Sequence, residues 1–368
     1  MRRKFINLKV TLSVSTGGGV PGAKKDIRLG DVVVSYPNGI YPGVVQFDYG
    51  KLKGGRSRGF EMKCQRKSMK LRANSARGFS ASGNLGPAVL EQLLNAGFEV
   101  NVLTRENKDS KFDRRAKVTQ VDYNSFESLT SALAGQDVVV NTLGAGTIPR
   151  EVHLRLVDAA VAAKVQRFIP SEFGSDTTNP EAAKLPVYGD KVGVQQHLKE
   201  ASEKSGGTFT YTLLINGPFL DWGLKSGFLL NLAGPEAELY DGGDRKISAT
   251  TLAGVGKGIA GVIRNLDATK NRTVYIREAE ITQNQLLKLS KKQLATKVVS
   301  TDQLEKDAFA ELQKPSPNLG VFAYNLIKRT IFGDGYGSQF PAENVFNDIL
   351  GVGSLSEAEV EDIVVQHS

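Results

Sequence analysis

Ser80-Ala81-Ser82-Gly83-Asn84-Leu85-Gly86-Pro87-Ala88-Val89-Leu90-Glu91-Gln92-Leu93-Leu94, followed at 98–105 by Phe-Glu-Val-Asn-Val-Leu-Thr-Arg, is the stretch on which the fold turns. Val89, Leu90, Leu93 and Leu94 recur at helical spacing, Pro87 suits a first turn and Gly97 a stop, so a helix is predicted over 84–96. Phe98, Val100 and Val102 then alternate with polar residues, the period of a strand. Before the helix, Gly83 and Gly86 open a turn in which backbone N–H groups can approach a phosphate, because no Cβ fills the space.

Two glycines three residues apart also make an ordinary tight turn, so the residues outward of them decide the reading. Arg105 ends the second strand 19 residues after Gly86, where a dinucleotide fold places the group that reads the adenosine ribose. An acid there favours NAD; an arginine, with a fork of donors, favours the 2′-phosphate of NADP, and Lys108 and Lys111 could add charge. A surface cap on a strand is the plainer alternative for Arg105. Further on, 138–143 and 167–170 are strand-length apolar runs separated by helical periods, the rhythm of βαβ units. The predicted architecture is α/β: a Rossmann-type doubly wound parallel sheet, with a smaller C-terminal α+β substrate lobe and an irregular N-terminal extension. Boundaries are expected at 1–78, 79–215 and 216–368.

The pieces SASGNLGPAVLEQLL, VLTR, VDYNSFESLTSALAGQDVVVNTLG and RFIPSEFG together resemble the NmrA-like and isoflavone reductase-like family, an atypical branch of the short-chain dehydrogenases, over roughly 79–365. The resemblance implies NADP(H) as cofactor. It places Ser82, Gly83, Asn84, Leu85 and Gly86 on the pyrophosphate, Arg105 and Lys111 on the 2′-phosphate, Asp122 on the adenine side, and 141–144, with Leu143 and Gly144, at the nicotinamide. It matches Lys191 to the family's catalytic lysine and gives Phe173, Phe219 and Trp222 to the substrate cleft, although bulky apolar residues are core by default. Members are reductases of small aromatic, carbonyl, enone or quinone-like compounds, or non-catalytic redox-sensing regulators that bind a protein partner. Tyr188 stands three residues before Lys191, not the four of a standard short-chain dehydrogenase, and is not assigned a proton.

The front of the chain reads differently. The polar, basic stretch 70–77 stands where an apolar strand should run into the turn, so the first strand is expected to be lost there and cofactor binding weakened. Residues 17–55 resemble a fragment of fungal nucleoside phosphorylase-like domains, with 26–34 the most specific part, and no activity is carried over from so short a piece. Residues 1–77 hold 17 Lys or Arg against 4 Asp or Glu, while the rest holds 30 against 35. The +8 net charge is therefore a property of the extension, and a solvated charge run explains it better than nucleic-acid binding. The arginine-rich start leaves an import sequence as a minor reading. No apolar run reaches the roughly 20 residues of a membrane helix. The single cysteine, Cys64, suits a reducing compartment, with the cytoplasm as the expectation. The three histidines, His153, His197 and His367, form no metal-ligand spacing, and no eight-residue phosphate loop ending in Gly-Lys-Ser/Thr is present. The partner expected is a small-molecule substrate.

Overall fold

The computed structural model describes residues 9–14, 83–105, 112–144 and 148–367; the readings placed on 17–55 and 70–77, and on Ser82, Lys108 and Lys111, lie outside them. In chain order the first half contributes β1 (Lys9–Val14), α1 (Gly86–Asn95), β2 (Glu99–Arg105), β3 (Lys117–Val121), α2 (Phe126–Leu133), β4 (Val138–Thr142), α3 (Arg150–Ala162) and β5 (Arg167–Ile169). Then come α4 (Pro180–Ala183), α5 (Gly189–Lys204), β6 (Thr210–Ile215), α6 (Leu220–Lys225), β7 (Glu236–Tyr240), β8 (Ile247–Ala249), α7 (Leu252–Arg264) and β9 (Arg272–Tyr275). The chain ends through β10 (Ala279–Ile281), α8 (Gln283–Leu289), β11 (Ala295–Val299), α9 (Thr301–Leu312), α10 (Leu319–Phe332), α11 (Asn347–Leu350) and α12 (Glu357–Gln366).

Seven parallel strands form the central sheet in the order β3-β2-β1-β4-β5-β6-β9. This is the doubly wound Rossmann order with one strand added, and its direction reverses between β1 and β4, where such sheets bind ligands at their carboxyl ends. Val10 and Leu12 join Val89, Leu93, Val100, Val102, Val138 and Val140 in the core beneath α1 and α7. On the opposite face, Leu103, Val139 and Leu143 pack with Leu129, Leu156 and Leu198 of α2, α3 and α5.

The first strand corrects the sequence reading. It is not lost at 70–77; Lys-Val-Thr-Leu-Ser-Val at 9–14 supplies it, in register with β2 from Lys9 opposite Glu99 to Ser13 opposite Leu103. Its polar residues are paired where they are buried: Thr11 Oγ1 donates to Gln136 Oε1 at 2.8 Å, and Ser13 Oγ lies 3.0 Å from the Tyr123 hydroxyl. The sheet takes β1 from before residue 79 and β9 from after 215.

The second lobe is built on two small sheets, β7 with β11 and β8 with β10, around Leu220, Leu229, Tyr240, Ile281 and Phe332. Its link to the main sheet is the turn after β6. Gly217 sits there at φ +65°, and a Cβ would stand 1.9 Å from the Ser248 carbonyl oxygen, so only glycine fits. Val360 and Val364 of α12 are buried in this lobe's core.

Candidate active site

The carboxyl ends of β1, β2 and β4 are tied together by two side chains. The buried Tyr123 hydroxyl reaches Ser13 Oγ at 3.0 Å and donates to the Leu103 carbonyl at 3.1 Å, while Thr142 Oγ1 donates to the Ser13 carbonyl at 2.6 Å. Above them Gly83 has φ +146°, a conformation that a side chain would strain, and Leu85 and Gly86 are buried at the start of α1. The N-cap residue, Leu85, offers no side-chain hydrogen bond to the first turn, so its backbone donors are not capped from that position. That combination fits a phosphate, and Arg105 stands exposed at the end of β2 as the ribose reading requires. Asn84 is exposed beside the turn, and Asp122 is exposed at the end of β3, where its Oδ1 accepts from the Asn124 N–H at 2.8 Å. Asp122 is thus a turn former as well as a candidate for adenine. Leu143 is buried and Gly144 half-buried after β4.

Lys191 lies in the first turn of α5 at a pocket lined by His153, Pro170, Ser171, Glu172, Asp190, Lys191 and Val194. The loop after β5 positions it: its ammonium donates to the Glu172 backbone carbonyl. Burial draws its pKa below the ordinary lysine value, with the Glu172 charge opposing. The Glu172 carboxylate is itself buried and accepts from Thr177 Oγ1 at 2.5 Å, and Thr177 accepts in turn from Gln195 of α5 at 2.8 Å.

His153, which the sequence reading noted only as outside any metal spacing, projects from α3 into the same pocket and is 4% exposed. Asn141 Oδ1 accepts the Leu143 N–H at 3.0 Å, which leaves Asn141 Nδ2 to donate to His153 Nδ1, also at 3.0 Å. The imidazole therefore carries its proton on Nε2, a buried atom without a hydrogen-bond partner among the described residues. Burial, with the Lys191 charge adding to it and the Ile148 carbonyl opposing, pulls its pKa down to about 4, so it is neutral at physiological pH. The stripe it shares with Leu156, Val157 and Ala160 on α3 was the available signal: a polar residue on a buried face needs a partner or a purpose.

The remaining candidates separate. Tyr188 is buried with its hydroxyl 2.7 Å from Thr330 Oγ1, away from any proton-donor role. His197 pairs with Asp158 at 2.6 Å on the surface between α5 and α3. Phe173 is buried and belongs to the core cluster with Leu85, Ile169 and Leu214. Phe219 packs at the edge of that core, and Trp222 belongs to an aromatic group with Phe228 at 6.0 Å, which in turn meets Tyr324 at 5.2 Å. None of the three lines the Lys191 pocket.

The NmrA-like family profile matches residues 79–333. The chain belongs to the NmrA-like family. Among NmrA-like relatives, the oxidoreductase aprR of Aspergillus flavus is 34% identical over 293 residues, covering 77% of this chain and 95% of that protein. The oxidoreductase poxI of Penicillium oxalicum is 34% identical over 215 residues, 56% of this chain and 66% of that protein. Leucoanthocyanidin reductase of Vitis vinifera, solved as a binary complex with NADPH, shares the fold with a TM-score of 0.61 at 20% identity, over 78% of this chain and 97% of that one. Among the described residues, no helix is long and apolar enough to cross a membrane.

Proposed function

We propose that this NmrA-like chain is a cytoplasmic NADP(H)-dependent reductase of a small carbonyl, enone or quinone-like molecule. The observation that carries the reading is Lys191, an ammonium drawn out of water at the carboxyl edge of a Rossmann sheet, one strand away from the 141–144 turn. Gly83, Leu85 and Gly86 at the start of α1 would hold the pyrophosphate, joined by Ser82 and Asn84. Arg105, with Lys111, would hold the 2′-phosphate, Asp122 the adenine, and Leu143 and Gly144 would border the nicotinamide. Bound there, NADPH supplies a hydride. The chain's own task is then to orient the substrate oxygen and to hold a proton for it, and Lys191 does both: its three donors exceed the one spent on Glu172. Two oxidoreductase-named relatives at 34% identity support the reading.

NADPH oxidation with a panel of quinones and enones tests it, with Lys191→Met as the control. Turnover lost by a factor of about a hundred or more in Lys191→Met, with NADPH affinity retained, is the expected result. NADPH binding without turnover of any compound contradicts the reductase reading and favours the sensor.

A further inference from the structure

His153 has no place in the assignment so far, yet it holds the pocket's one buried side-chain donor without a partner among the described residues. Its tautomer follows from a chain of three groups. The Leu143 N–H can only donate, so it fixes Asn141 Oδ1 as acceptor; Asn141 Nδ2 then donates to His153 Nδ1; and the ring proton must be on Nε2. The ring nitrogen left without a partner is thus an N–H. Lys191, on the facing helix, is also a donor and nothing else.

The Glu172 carboxylate is engaged by Thr177, and its carbonyl takes one hydrogen of Lys191. The Asp190 carboxyl is shifted upward by burial against the opposing charge of Arg150. Two donors that line one pocket are complementary to an oxygen that gains negative charge.

We propose that His153 Nε2–H and Lys191 Nζ together form an oxyanion site for the carbonyl oxygen of the substrate. The inference rests on the reductase reading and narrows its substrate to a carbonyl conjugated or otherwise able to hold charge on oxygen. As hydride from NADPH bonds to the substrate carbon, the π pair moves to this oxygen, leaving an alkoxide or enolate and NADP+. His153 donates a hydrogen bond and keeps its proton. Lys191 gives its proton to the oxygen and is reprotonated from water. His153 is on this account a catalytic residue, one that touches the reacting oxygen, and its neutrality is required: an imidazolium beside Lys191 would compete with it for charge and disturb the Asn141 bond.

The probe is 4-nitrophenolate, a stable oxyanion, titrated by absorbance into the full-length chain saturated with NADP+. His153→Leu removes the donor at similar bulk, and His153→Gln returns an N–H near the position of Nε2. NADPH affinity, measured separately for each, reports on the reductase reading alone. The expected result is phenolate binding weakened at least about tenfold in His153→Leu, within about threefold of wild type in His153→Gln, with NADPH affinity unchanged in both. A reductase substrate found in the panel should show the same pattern in kcat with little change in KM. Phenolate binding that His153→Leu leaves intact, or no phenolate binding by a wild-type chain that does bind NADPH, overturns the inference. Should His153→Leu fail to fold, His153→Gln and Lys191→Met carry the test: unchanged phenolate affinity in Lys191→Met also overturns it.

Discussion

Asn141 Nδ2 lies 3.0 Å from His153 Nδ1, and this one contact joins the end of β4, at the proposed nicotinamide position, to α3 and the Lys191 pocket. Because the bond accepts at Nδ1 only while the ring is neutral, protonation of His153 breaks it. The folded pKa of about 4 lies below the ordinary 6.5, so the unfolded chain binds the extra proton first as pH falls. The stabilisation is full above about 6.5 and is lost progressively toward 4, amounting to up to about 3 kcal/mol from this residue. Thermal unfolding of wild type and His153→Gln between pH 7 and 4.5 checks it: the wild-type midpoint should fall more steeply, and parallel curves would show that His153 is not held neutral by the fold.

Leu12 is fully buried in β1, between β2 and β4 and under α1. Leu12→Ala should therefore cost about 2–5 kcal/mol, as a core deletion does. Denaturant unfolding measures this directly. A loss near zero would mean that residues 9–14 are not the central strand.

Gly217→Ala puts a Cβ against the Ser248 carbonyl and forces a residue with φ +65° out of its preferred region. The Gly217 N–H also donates to the Gly174 carbonyl at 3.0 Å, which ties this turn to the loop after β5 that carries Glu172 and Phe173. The expected outcome is a loss of several kcal/mol, about 3 or more, greater than backbone strain alone produces. Gly97→Ala, also at positive φ but with no atom near its Cβ, is the comparison that isolates the clash and should cost about 1 kcal/mol.

Arg167 of β5 ties β6 to the segment between α7 and β9. It is fully buried without an ion pair among the described residues, and its guanidinium donates to Thr210, Thr212 and Thr269 hydroxyls, each at 2.8 Å, and to the Leu266 carbonyl at 2.6 Å. Burial lowers its pKa to about 10, with Asp267 opposing. Arg167→Ala should lower stability by about 3–5 kcal/mol, because it empties a large site and strands four acceptors. Unfolding by urea with NADPH absent measures the effect free of any ligand contribution, and a change under 1 kcal/mol would contradict it.

The glycine turn, α1 and β2 were legible because they are local: helical spacing in 89–94 and strict alternation in 98–102 need no distant partner. The first strand was not, for a physical reason. Val10 and Leu12 face one core, while Thr11 and Ser13 are buried on the other side and satisfied by Gln136 and Tyr123, so the strand lacks the continuous apolar run of a parallel centre. It is also separated from its turn by residues 15–82, and adjacency was the rule that failed. His153 was legible only as a polar residue on a buried helix face; its meaning depends on Lys191 arriving from α5.

The measurement that tests the central claim most directly is calorimetric titration of the full-length chain with NADPH and with NADH, repeated on Arg105→Ala. The account predicts NADPH binding favoured over NADH, and a loss of about ten- to a hundredfold in NADPH affinity in Arg105→Ala with NADH little affected. Failure of the wild-type chain to bind either nucleotide would contradict it, because a complete parallel sheet with β1 in place would then not make a working dinucleotide site.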